Sequence, residues 1–501
     1  MVLYFLSVFI VILYSCYYFS TRTFNYWKSK NVPGPKPIPF FGNLKESALR
    51  RSSMGMAVKQ YYDSYPNEKV IGIYRMTAPT LLIRDPEIIK HIMIKDFDLF
   101  VDRGFRLSNK GLGMNLFLAD EETWKALRNK FTPLFTTGKL KNMLYLMTER
   151  GDKFVEYVNN VINKQPEQNV FKLVQHFTIA TIAACAFGLE VNVEDQLKKL
   201  QEVDKQIFTV SYGIELELLI PGVFNIFGSS IFPRSLSRFF KNLVESVIAQ
   251  RNGKPTNRRD FIDLILELRE AGSVQKSKKQ TDEKTFELEI TDDIIAAQAF
   301  VFYAAGYETS ATALGFFLYQ IALNPHVQDK LVAEINEVLE KHKGNVTYEA
   351  ITDMKYMDQV FDETLRMYPP IEQLQRCAKT DYKIPGTNIT IEKGQIVVVS
   401  TTGLHYDEKY FDNPDKFEPE RFSVENSKNI QACTYLPFGI GPRNCIGMRF
   451  AQTQSRICLV YFLKNFKVEA TKNTSRHLTY DPYRSVLAPL SGLYLKVSPR
   501  K

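Results

Sequence analysis

The longest stretch of this chain able to form one uninterrupted helix runs from Thr291 to about Ala322, just before Asn324-Pro325. The stretch contains no proline and is rich in helix formers, and Thr291 is a suitable N-cap residue. A helix of about 30 residues is about 45 Å long, which is enough to cross a whole domain. The sequence therefore predicts one long helix inside a large folded unit.

Helical patterns dominate the rest of the chain. Amphipathic segments extend from about Met56 to Arg366, whereas the alternation typical of strands is confined to short stretches. Those stretches are Val70 to Tyr74, Thr80 to Ile83, Gln395 to Ser400 and Leu493 to Val497. The chain has 501 residues, 45% of them hydrophobic, and no break in composition between positions 45 and 495. We therefore expect one large domain that is mainly α with small β-sheets.

The N-terminus predicts a membrane anchor. Residues Val2 to Phe19 carry no charge, and the run approaches the length of about 20 residues that crosses a bilayer. Basic residues follow the run and none precedes it, which predicts that the rest of the chain is cytosolic. A cleaved secretory signal is the alternative, although its usual basic beginning is missing. We expect residues 1–21 to be the anchor, 22–44 a basic, proline-rich hinge and 45–501 the main domain.

Two further segments stand out by composition. Residues 220–240 are rich in large apolar side chains, which predicts either core packing or a second contact with the membrane. Residues 272–284 are rich in lysine and acidic residues and are expected to form a mobile, solvated linker. The six cysteines show neither a C-x-x-C pair nor dense spacing. This spacing argues for a reducing compartment and against a zinc site.

A glycine-rich loop near the C-terminus presents one cysteine. It reads Phe438-Gly439-Ile440-Gly441-Pro442-Arg443-Asn444-Cys445-Ile446-Gly447 and precedes a helix-like apolar run that starts around Met448. A cysteine at a helix N-terminus feels the positive end of the helix dipole and unpaired N–H groups, and both favour the thiolate. The loop therefore suits a flat metal cofactor, with Arg443 placed to reach an anionic group on its rim. A buried, inert cysteine in a turn is the alternative.

The middle of the long helix reads Ala304-Ala305-Gly306-Tyr307-Glu308-Thr309-Ser310. A glycine inside a helix costs about 1 kcal/mol relative to alanine, so some structural advantage is expected at Gly306. A groove or a loosened turn beside a ligand would supply one. For Thr309 the alternative is a hydrogen bond to the backbone of its own helix.

The string F-x-x-G-x-R-x-C-x-G resembles the haem-binding loop of the cytochrome P450 superfamily, in which a cysteine thiolate ligates the iron. Four further stretches resemble other motifs of that family. They are W-x-x-x-R at Trp124 and Arg128, A-G-x-[DE]-T-[TS] in the long helix, E-x-x-R at Glu363 and Arg366, and Phe417 to Phe422 with Arg421.

The resemblance implies the cytochrome P450 fold and haem b ligated by Cys445. It implies a buried triad of Glu363, Arg366 and Arg421 behind the haem. Thr309 would hydrogen-bond dioxygen and its water, and Glu308 would pass protons inward. The other residues implied to contact the cofactor are Arg443, Trp124, Arg128, Arg376, Arg103, Phe438, Gly439, Gly447 and Ala305. For Arg376 and Arg103 a surface position is the alternative.

Over nearly the full chain the likeness is greatest to insect microsomal enzymes that oxidise plant toxins and insecticides, which are related to the mammalian drug-oxidising enzymes. It implies a monooxygenase on the cytosolic face of the endoplasmic reticulum membrane. The enzyme would insert one oxygen atom of O2 into a lipophilic xenobiotic and use NADPH electrons from cytochrome P450 reductase, with cytochrome b5 as a further candidate partner. The residues implied to line the pocket are Phe105, Phe302, Ala305, Ile371, Leu374 and Val486.

The net charge of +9 has a use in this interpretation. Basic residues cluster around the Trp124 segment, where an acidic electron donor would dock, and electrostatic steering would raise the encounter rate. They are Lys125, Arg128, Lys130, Lys139 and Lys141. A solvated surface is the alternative, and nothing in the cluster indicates nucleic acid.

Other functions stay open at this point. The substrate would alternatively be an endogenous steroid, fatty acid or terpenoid. A haem-thiolate isomerase or dehydratase has the same fold but needs no electron donor, and the Glu308-Thr309 pair argues against it. A non-catalytic haem protein that carries a small ligand is the third class. Consumption of NADPH in the presence of reductase separates these classes.

Overall fold

The structure is a computed structural model that describes residues 1–105, 111–189, 203–220, 222–226, 232–256, 260–271, 273–275 and 287–500. Most of the expected linker at 272–284, and positions 221 and 227–231 of the apolar segment, lie outside the described residues.

Helices account for most of the described chain, as the sequence predicts. Residues 203–208 are a helical segment, here α9. The other α-helices are α1 Val2–Thr21, α2 Tyr26–Ser29, α3 Lys45–Ala48, α4 Met54–Ser64, α5 Pro86–Lys90, α6 Glu121–Phe131, α7 Thr137–Lys164, α8 Val170–Ile182, α10 Gly213–Leu219, α11 Val223–Ile226, α12 Arg234–Gln250, α13 Phe261–Ala271, α14 Asp292–Leu323, α15 Pro325–Lys341, α16 Tyr348–Asp353, α17 Lys355–Met367, α18 Thr401–His405 and α19 Met448–Asn465.

The expected strands form small sheets at the edge of the helical body. The strands are β1 Val70–Arg75, β2 Ala78–Ile83, β3 Glu167–Asn169, β4 Ser273–Gln275, β5 Glu287–Glu289, β6 Gln373–Cys377, β7 Tyr382–Lys383, β8 Thr390–Ile391, β9 Ile396–Ser400, β10 Phe466–Ala470 and β11 Tyr494–Pro499. The largest sheet has the order β1-β2-β9-β6, in which only the β2–β9 pair is parallel. Its register sets Arg376 of β6 opposite Val397 of β9. A second sheet has the order β10-β11-β3, and β4-β5 and β7-β8 are separate pairs.

The long central helix is confirmed. The Thr291 hydroxyl accepts a hydrogen bond from the Ile294 N–H at 3.3 Å, and the helix ends at Asn324, whose following proline cannot continue it. From Ile294 to Ala322 its side chains are buried except at positions 301, 305, 306 and 309. A helix that is apolar on all sides is normally enclosed by other elements. Here α8 and α12 pack against α14, which therefore forms the centre of the domain.

Helix α1 has the length and composition of a membrane span. Its 20 residues are apolar, and its side chains are exposed except near its C-terminal end. At 1.5 Å per residue the helix is about 30 Å long, which matches the hydrocarbon core of a bilayer. Helix α8 with the π-helical turn that follows it passes the same test, but it is buried in the domain. Within the described residues, α1 is therefore the candidate anchor.

The segment expected to be a hinge is docked on the first sheet. The Trp27 indole N–H donates to the Ile73 carbonyl at 2.9 Å, and the Pro33 carbonyl accepts from the Gly72 N–H at 2.8 Å. The Asn43 side chain accepts from the Tyr74 N–H at 2.8 Å. These bonds pair the segment with β1, so between Trp27 and Asn43 it is part of the folded domain.

Candidate active site

Backbone hydrogen bonds and one close approach hold the cysteine loop. The Cys445 N–H donates to the Phe438 carbonyl at 2.9 Å, which closes the loop. At Gly441 φ is +77°, and a Cβ atom there would lie 1.9 Å from the Met93 carbonyl oxygen, so only glycine fits. Gly447 is the N-cap of α19, as the sequence predicts. Cys445 thus projects an exposed thiol from just before a helix N-terminus.

The loop by itself does not make this thiol acidic. Enclosure by protein raises the pKa of the Cys445 thiol, while the Gly447 N–H and the charges of Arg128 and Arg103 oppose the rise. The Gly447 N–H at the helix terminus thus favours the thiolate, as the sequence predicts, but burial has the larger effect on the pKa of the Cys445 thiol. Coordination to a metal ion deprotonates a thiol outright and would reverse this balance. The high solvent exposure of the Cys445 side chain shows that the surrounding protein leaves space beside the sulfur.

Four arginines lie near one another, two of them close enough to the thiol to lower its pKa, and we call them the cationic cluster: Arg103, Arg128, Arg376 and Arg443. Arg443 donates to the Val101 and Ala119 carbonyls and lies 4.9 Å from the centroid of the buried Trp124 ring. Arg103 donates to the Phe117 carbonyl at 2.8 Å and the Arg443 carbonyl at 3.2 Å.

The other two arginines also bind backbone carbonyls, Arg128 in the cysteine loop and Arg376 in its own strand. Arg128 donates to the Asn444 carbonyl at 2.9 Å and to its side-chain oxygen at 3.0 Å. Arg376 is buried on β6 and donates to the Gln375 carbonyl at 2.8 Å. The surface alternative for Arg376 is therefore wrong, and Arg103 is partly buried within the cluster.

The cationic cluster is under-neutralised. Burial lowers the pKa of Arg376 to about 10, and burial together with repulsion from Arg376 lowers that of Arg443 to about 9. Burial and repulsion from the other three members also lower the pKa of Arg103. The closest carboxylate oxygen, on Asp102, is 3.7 Å from Arg443. Among the described residues, the buried Nε atoms of Arg376 and Arg443 have no hydrogen-bond partner. The site thus favours a ligand with anionic groups.

Helix α14 has one accessible face, formed by the exceptions to its burial. Val301, Ala305 and Thr309 are spaced four residues apart and so share one helical face, which we call the accessible strip. Ala305 is exposed, and the Thr309 hydroxyl donates to the Ala305 carbonyl at 2.8 Å. The backbone hydrogen bond considered for Thr309 is therefore present. Its hydroxyl oxygen keeps acceptor capacity on the accessible face.

Gly306 has a different role from the one expected. A Cβ atom there would lie 2.6 Å from the Ile182 side chain of α8, and α14 continues through this position as a regular helix. The Gly306 carbonyl accepts from the Gln454 side chain of α19 at 3.2 Å. The glycine therefore allows close packing of α8 on α14, and the expected groove or loosened turn is absent at this position.

Glu308 lies away from the accessible strip. Its side chain is fully buried, accepts from the Gln175 amide at 2.8 Å and forms an ion pair with Arg484. Burial raises the pKa of Glu308, which the Arg484 charge opposes. The two neighbours Glu308 and Thr309 thus face different surroundings, and an inward proton path through Glu308 requires its partners to move.

The residues expected to line a pocket fall into two groups. Phe302 is buried within an aromatic cluster with centroid distances of 5.1 Å to Phe131 and 4.8 Å to Phe261, and Val486 is also buried. Phe302 and Val486 therefore belong to the hydrophobic core. Phe105, Ile371 and Leu374 are partly exposed and Ala305 is exposed, and Phe438, which is expected to contact the cofactor, is also partly exposed. Leu374 lies about 4 Å from a Cβ position at Gly439, which places this side chain at the cysteine loop.

The structure brings Glu363, Arg366 and Arg421 together. Arg366 binds both Glu363 oxygens, at 2.7 and 2.9 Å, and neither side chain is exposed. Arg421 donates to Glu363 at 3.3 Å. The remaining donors of Arg366 bind the His405 and Pro414 carbonyls at 2.8 Å each. A buried ion pair is tolerated when its spare donors are satisfied, as they are here.

His405 joins this triad to the residues ahead of the cysteine loop, and no motif in the sequence indicated its role. Its Nδ1–H donates to the Arg366 carbonyl at 3.0 Å, and its Nε2 accepts from the Leu436 N–H at 2.8 Å. This pattern requires the neutral ring. Gln175, Asp204 and Arg484 around Glu308 were also missed, because their contacts join segments far apart in the chain.

Stability should fall with acid through His405. Burial lowers the pKa of His405 to about 3, below its ordinary 6.5. The unfolded chain therefore binds the proton first, and the stabilisation is complete above pH 6.5 and is lost as pH falls toward 3. The effect amounts to a few kcal/mol, at about 1.4 kcal/mol per pKa unit. Denaturant unfolding of the wild type and His405→Gln across this range should give a difference that shrinks with acid. A constant difference would contradict the assignment.

Comparison with known proteins identifies the family. The family model described as cytochrome P450 matches residues 32–497. The chain belongs to the cytochrome P450 family. It is 54% identical to cytochrome P450 6B6 of Helicoverpa armigera over 501 residues, which cover 100% of this chain and 99% of the relative. It is 52% identical to cytochrome P450 6B1 of Papilio polyxenes, with 99% of this chain and 100% of the relative covered. To cytochrome P450 6k1 of Blattella germanica it is 36% identical, with 98% and 96% covered.

Membership makes this chain a haem-thiolate monooxygenase of the P450 class, related to insect enzymes. Proteins of the family bind haem b through a cysteine thiolate and use O2 and NADPH electrons supplied by a redox partner. The site fits that cofactor, since an accessible thiol lies beside a cluster of arginines with unsatisfied buried donors. Haem carries two propionates, which are the kind of anion the cluster favours.

Proposed function

We propose that this P450 oxidises lipophilic foreign compounds such as plant toxins or insecticides. The observation that carries the proposal is the accessible strip, an open apolar face in an otherwise buried helix, on the same domain as the exposed Cys445 thiol. Apolar walls with few polar groups are typical of sites for lipophilic ligands. The partial exposure of Phe105, Ile371 and Leu374 is consistent with such walls.

The proposed ligand set follows from the site. Cys445 would ligate the haem iron, and the cationic cluster with the Trp124 indole would hold the propionates. When bound, the haem supplies the oxygen-activating chemistry, and the thiolate ligand favours O–O cleavage. The chain's own part is to fix the cofactor, to exclude bulk water with the buried flanks of α14, and to present the Thr309 hydroxyl to the cavity.

Thr309→Ala should keep the cofactor spectrum but divert electrons to peroxide. The Thr309 hydroxyl can hold a water or a proton at the accessible face, and alanine cannot. The side chain makes one local bond, to Ala305, so the fold should tolerate the change. We expect peroxide formed per NADPH to rise several-fold, in keeping with the loss of one proton-positioning group.

Thr309→Ser is the matched control, because it keeps the hydroxyl and should retain most of the coupling. Peroxide and product are measured in the same reaction, each relative to NADPH consumed. Unchanged coupling in Thr309→Ala would remove Thr309 from the mechanism.

The proposed electron donor is cytochrome P450 reductase, with cytochrome b5 as a second candidate. The basic face near Trp124 is smaller than the sequence suggests. Lys125 pairs with Glu121 at 2.6 Å, Lys141 pairs with Glu349, and Arg128 is turned to Asn444. Lys130 is exposed and Lys139 partly exposed, and these two are the candidates for steering an acidic donor.

The proposed location is the endoplasmic reticulum membrane, with α1 as a single anchor and residues 45–501 as the catalytic domain on the cytosolic face. The support is the exposed apolar surface of α1 and the basic residues that follow it. Residues 22–44 would join anchor and domain, with Trp27 and Asn43 fixing most of this segment to β1.

Reconstitution with reductase tests the function. Purified protein, reductase and NADPH are incubated with a plant toxin or insecticide panel and, separately, with steroids, fatty acids and terpenoids. Substrate-dependent product from the first panel supports the proposal. Product from the second panel alone would identify an endogenous role, and a thiolate spectrum without NADPH consumption would identify a ligand carrier.

A further inference from the structure

One cation joins a buried carboxylate to a partly exposed one on a different element. Arg484, in the segment between β10 and β11, binds both oxygens of Asp204 on α9, at 2.8 and 3.2 Å. The same guanidinium binds Glu308 on α14. The Arg484 side chain is 13% exposed and that of Glu308 is not exposed at all. We call this arrangement of Asp204, Arg484 and Glu308 the Arg484 bridge.

The bridge has one positive charge for two negative ones. In the part of the chain that the structure describes, the charged and titratable groups facing Glu308 are Arg484, Asp204 and the phenols of Tyr303 and Tyr307. Tyr307 donates its hydroxyl to Asp204, and α8 contributes the uncharged Gln175. Burial and Asp204 raise the pKa of Glu308, whereas Arg484 lowers it. The pKa of Glu308 therefore depends on how Arg484 is shared between Glu308 and Asp204.

The backbone ties Arg484 to α9 and its continuation. The Val210 N–H donates to the Tyr483 carbonyl at 2.8 Å, and the Ser485 N–H donates to the Phe208 carbonyl at 2.9 Å. Asp204 and Arg484 thus occupy two segments that are hydrogen-bonded to each other. Two positions after Arg484 lies the buried Val486, which the sequence assigns to the substrate pocket, and Glu308 adjoins Thr309 of the accessible strip.

We propose that Arg484 is a positioning residue for Glu308, which couples the placement of α9 to the carboxylate beside Thr309. When Asp204 withdraws, the guanidinium pairs with Glu308 alone and holds it ionised, and any proton leaves to water. When Asp204 is engaged, Arg484 is shared and Glu308 keeps a proton more readily. This inference rests on the proposed role of Thr309. It adds that the protonation of the neighbouring Glu308 depends on the placement of α9.

The Arg484 bridge is tested by two variants that should shift the titration midpoint of Glu308 in opposite directions. The probe is the infrared carboxylic C=O band of the resting haem-loaded protein, identified as the band lost in Glu308→Gln. Asp204→Asn should lower its titration midpoint and Arg484→Gln should raise it, each by about one pH unit or more, as expected for loss of a nearby charge. Arg484→Lys should restore part of the wild-type value. Shifts in the same direction, or none, would overturn the proposal.

Amide hydrogen exchange on the same resting protein tests the mechanical link. Arg484→Gln should speed exchange at residues 207–210 by several-fold. Arg50→Gln is the control for the Glu308 titration, because Arg50 and Glu215 form a similarly buried ion pair that ties α10 to the segment after α3 without touching Glu308, while Arg50 also donates to the Val210 carbonyl at 3.3 Å. It should loosen residues 213–219 and leave the Glu308 titration unchanged. Unaltered exchange at 207–210 in Arg484→Gln would contradict the link.

The turnover measurement separates this inference from the proposed function. In the reconstituted enzyme, the pH at which coupling of NADPH to product is half-maximal should shift with each variant in the direction of the Glu308 titration. Both shifts should vanish in a Glu308→Gln background. A Glu308 titration that shifts as expected without any turnover would count against the proposed function and leave the bridge standing. Shifts that persist in Glu308→Gln would overturn the bridge.

Discussion

Cys445→Ser should abolish the strongly red-shifted Soret band of the carbon monoxide complex of the reduced protein, and with it all monooxygenase activity. A serine hydroxyl is a harder and far less acidic donor than a thiol, so it cannot replace the thiolate that gives this band its position. The substitution changes a single exposed atom, since the loop is closed by the backbone of Cys445 and not by its sulfur. The fold should therefore survive, and the loss should be complete.

The matched control is Cys16→Ser, which makes the same change at an exposed cysteine on α1. That variant should keep the red-shifted band and full activity. A denaturation midpoint close to that of the wild type in Cys445→Ser shows that the change is local. A red-shifted band of wild-type intensity in the Cys445 variant would disprove the ligand assignment.

Local signals in the sequence predicted the main elements well. The length and ends of α14 follow from one N-cap threonine, the absence of internal proline and the Asn324-Pro325 stop. The strands β1, β2, β9 and β11 were visible as short alternating runs. Each of these features is decided by residues within a few positions of one another, which is the range over which propensity and capping act.

The features that the sequence did not reveal depend on contacts between distant segments. Gly306 is small because Ile182 of α8 packs against it, and no pattern around Gly306 indicates that neighbour. The sequence placed Glu308 beside Thr309 but did not show that Arg484, 176 residues further on, would hold its carboxylate. The pKa of the Cys445 thiol was likewise not predictable from nearby residues. Burial in the domain raises it by more than the helix N-terminus lowers it.

The site is therefore a balance of charges that only the fold reveals. Four arginines from three separate stretches of chain and β6 lie near one another, two of them close to one thiol, and the adjoining carboxylate of Asp102 does not neutralise them. An anionic cofactor relieves that repulsion and restores the pKa of each guanidinium toward its ordinary value. Binding of the cofactor is thereby linked to folding stability, because whatever binds only the native state stabilises it.

Arg366→Lys should destabilise the protein by about 3–5 kcal/mol, the range for breaking one partner of a buried ion pair. Arg366 binds Glu363 through two nitrogens and also satisfies the His405 and Pro414 carbonyls. Lysine has one nitrogen on a flexible stem and cannot reproduce this planar set of donors. The buried Glu363 carboxylate would keep at most a single bond from the lysine ammonium, besides the contacts from Arg421 and the Glu418 N–H. Because His405 joins Arg366 to Leu436 ahead of the cysteine loop, loss of haem should accompany the lower stability.

The matched control makes the same substitution in an ion pair that solvent reaches. Arg456 pairs with Asp358 of the same helix α17, at side-chain exposures of 17% and 28%. Arg456→Lys should cost only about 1 kcal/mol or less, as for surface pairs. Denaturant midpoints and haem content of both variants, measured under the same conditions, check the difference. Equal losses of stability in the two variants would show that burial of Glu363 and Arg366 does not determine how much their ion pair stabilises the protein. Equal haem contents would show that the stability of the cysteine loop depends on other contacts.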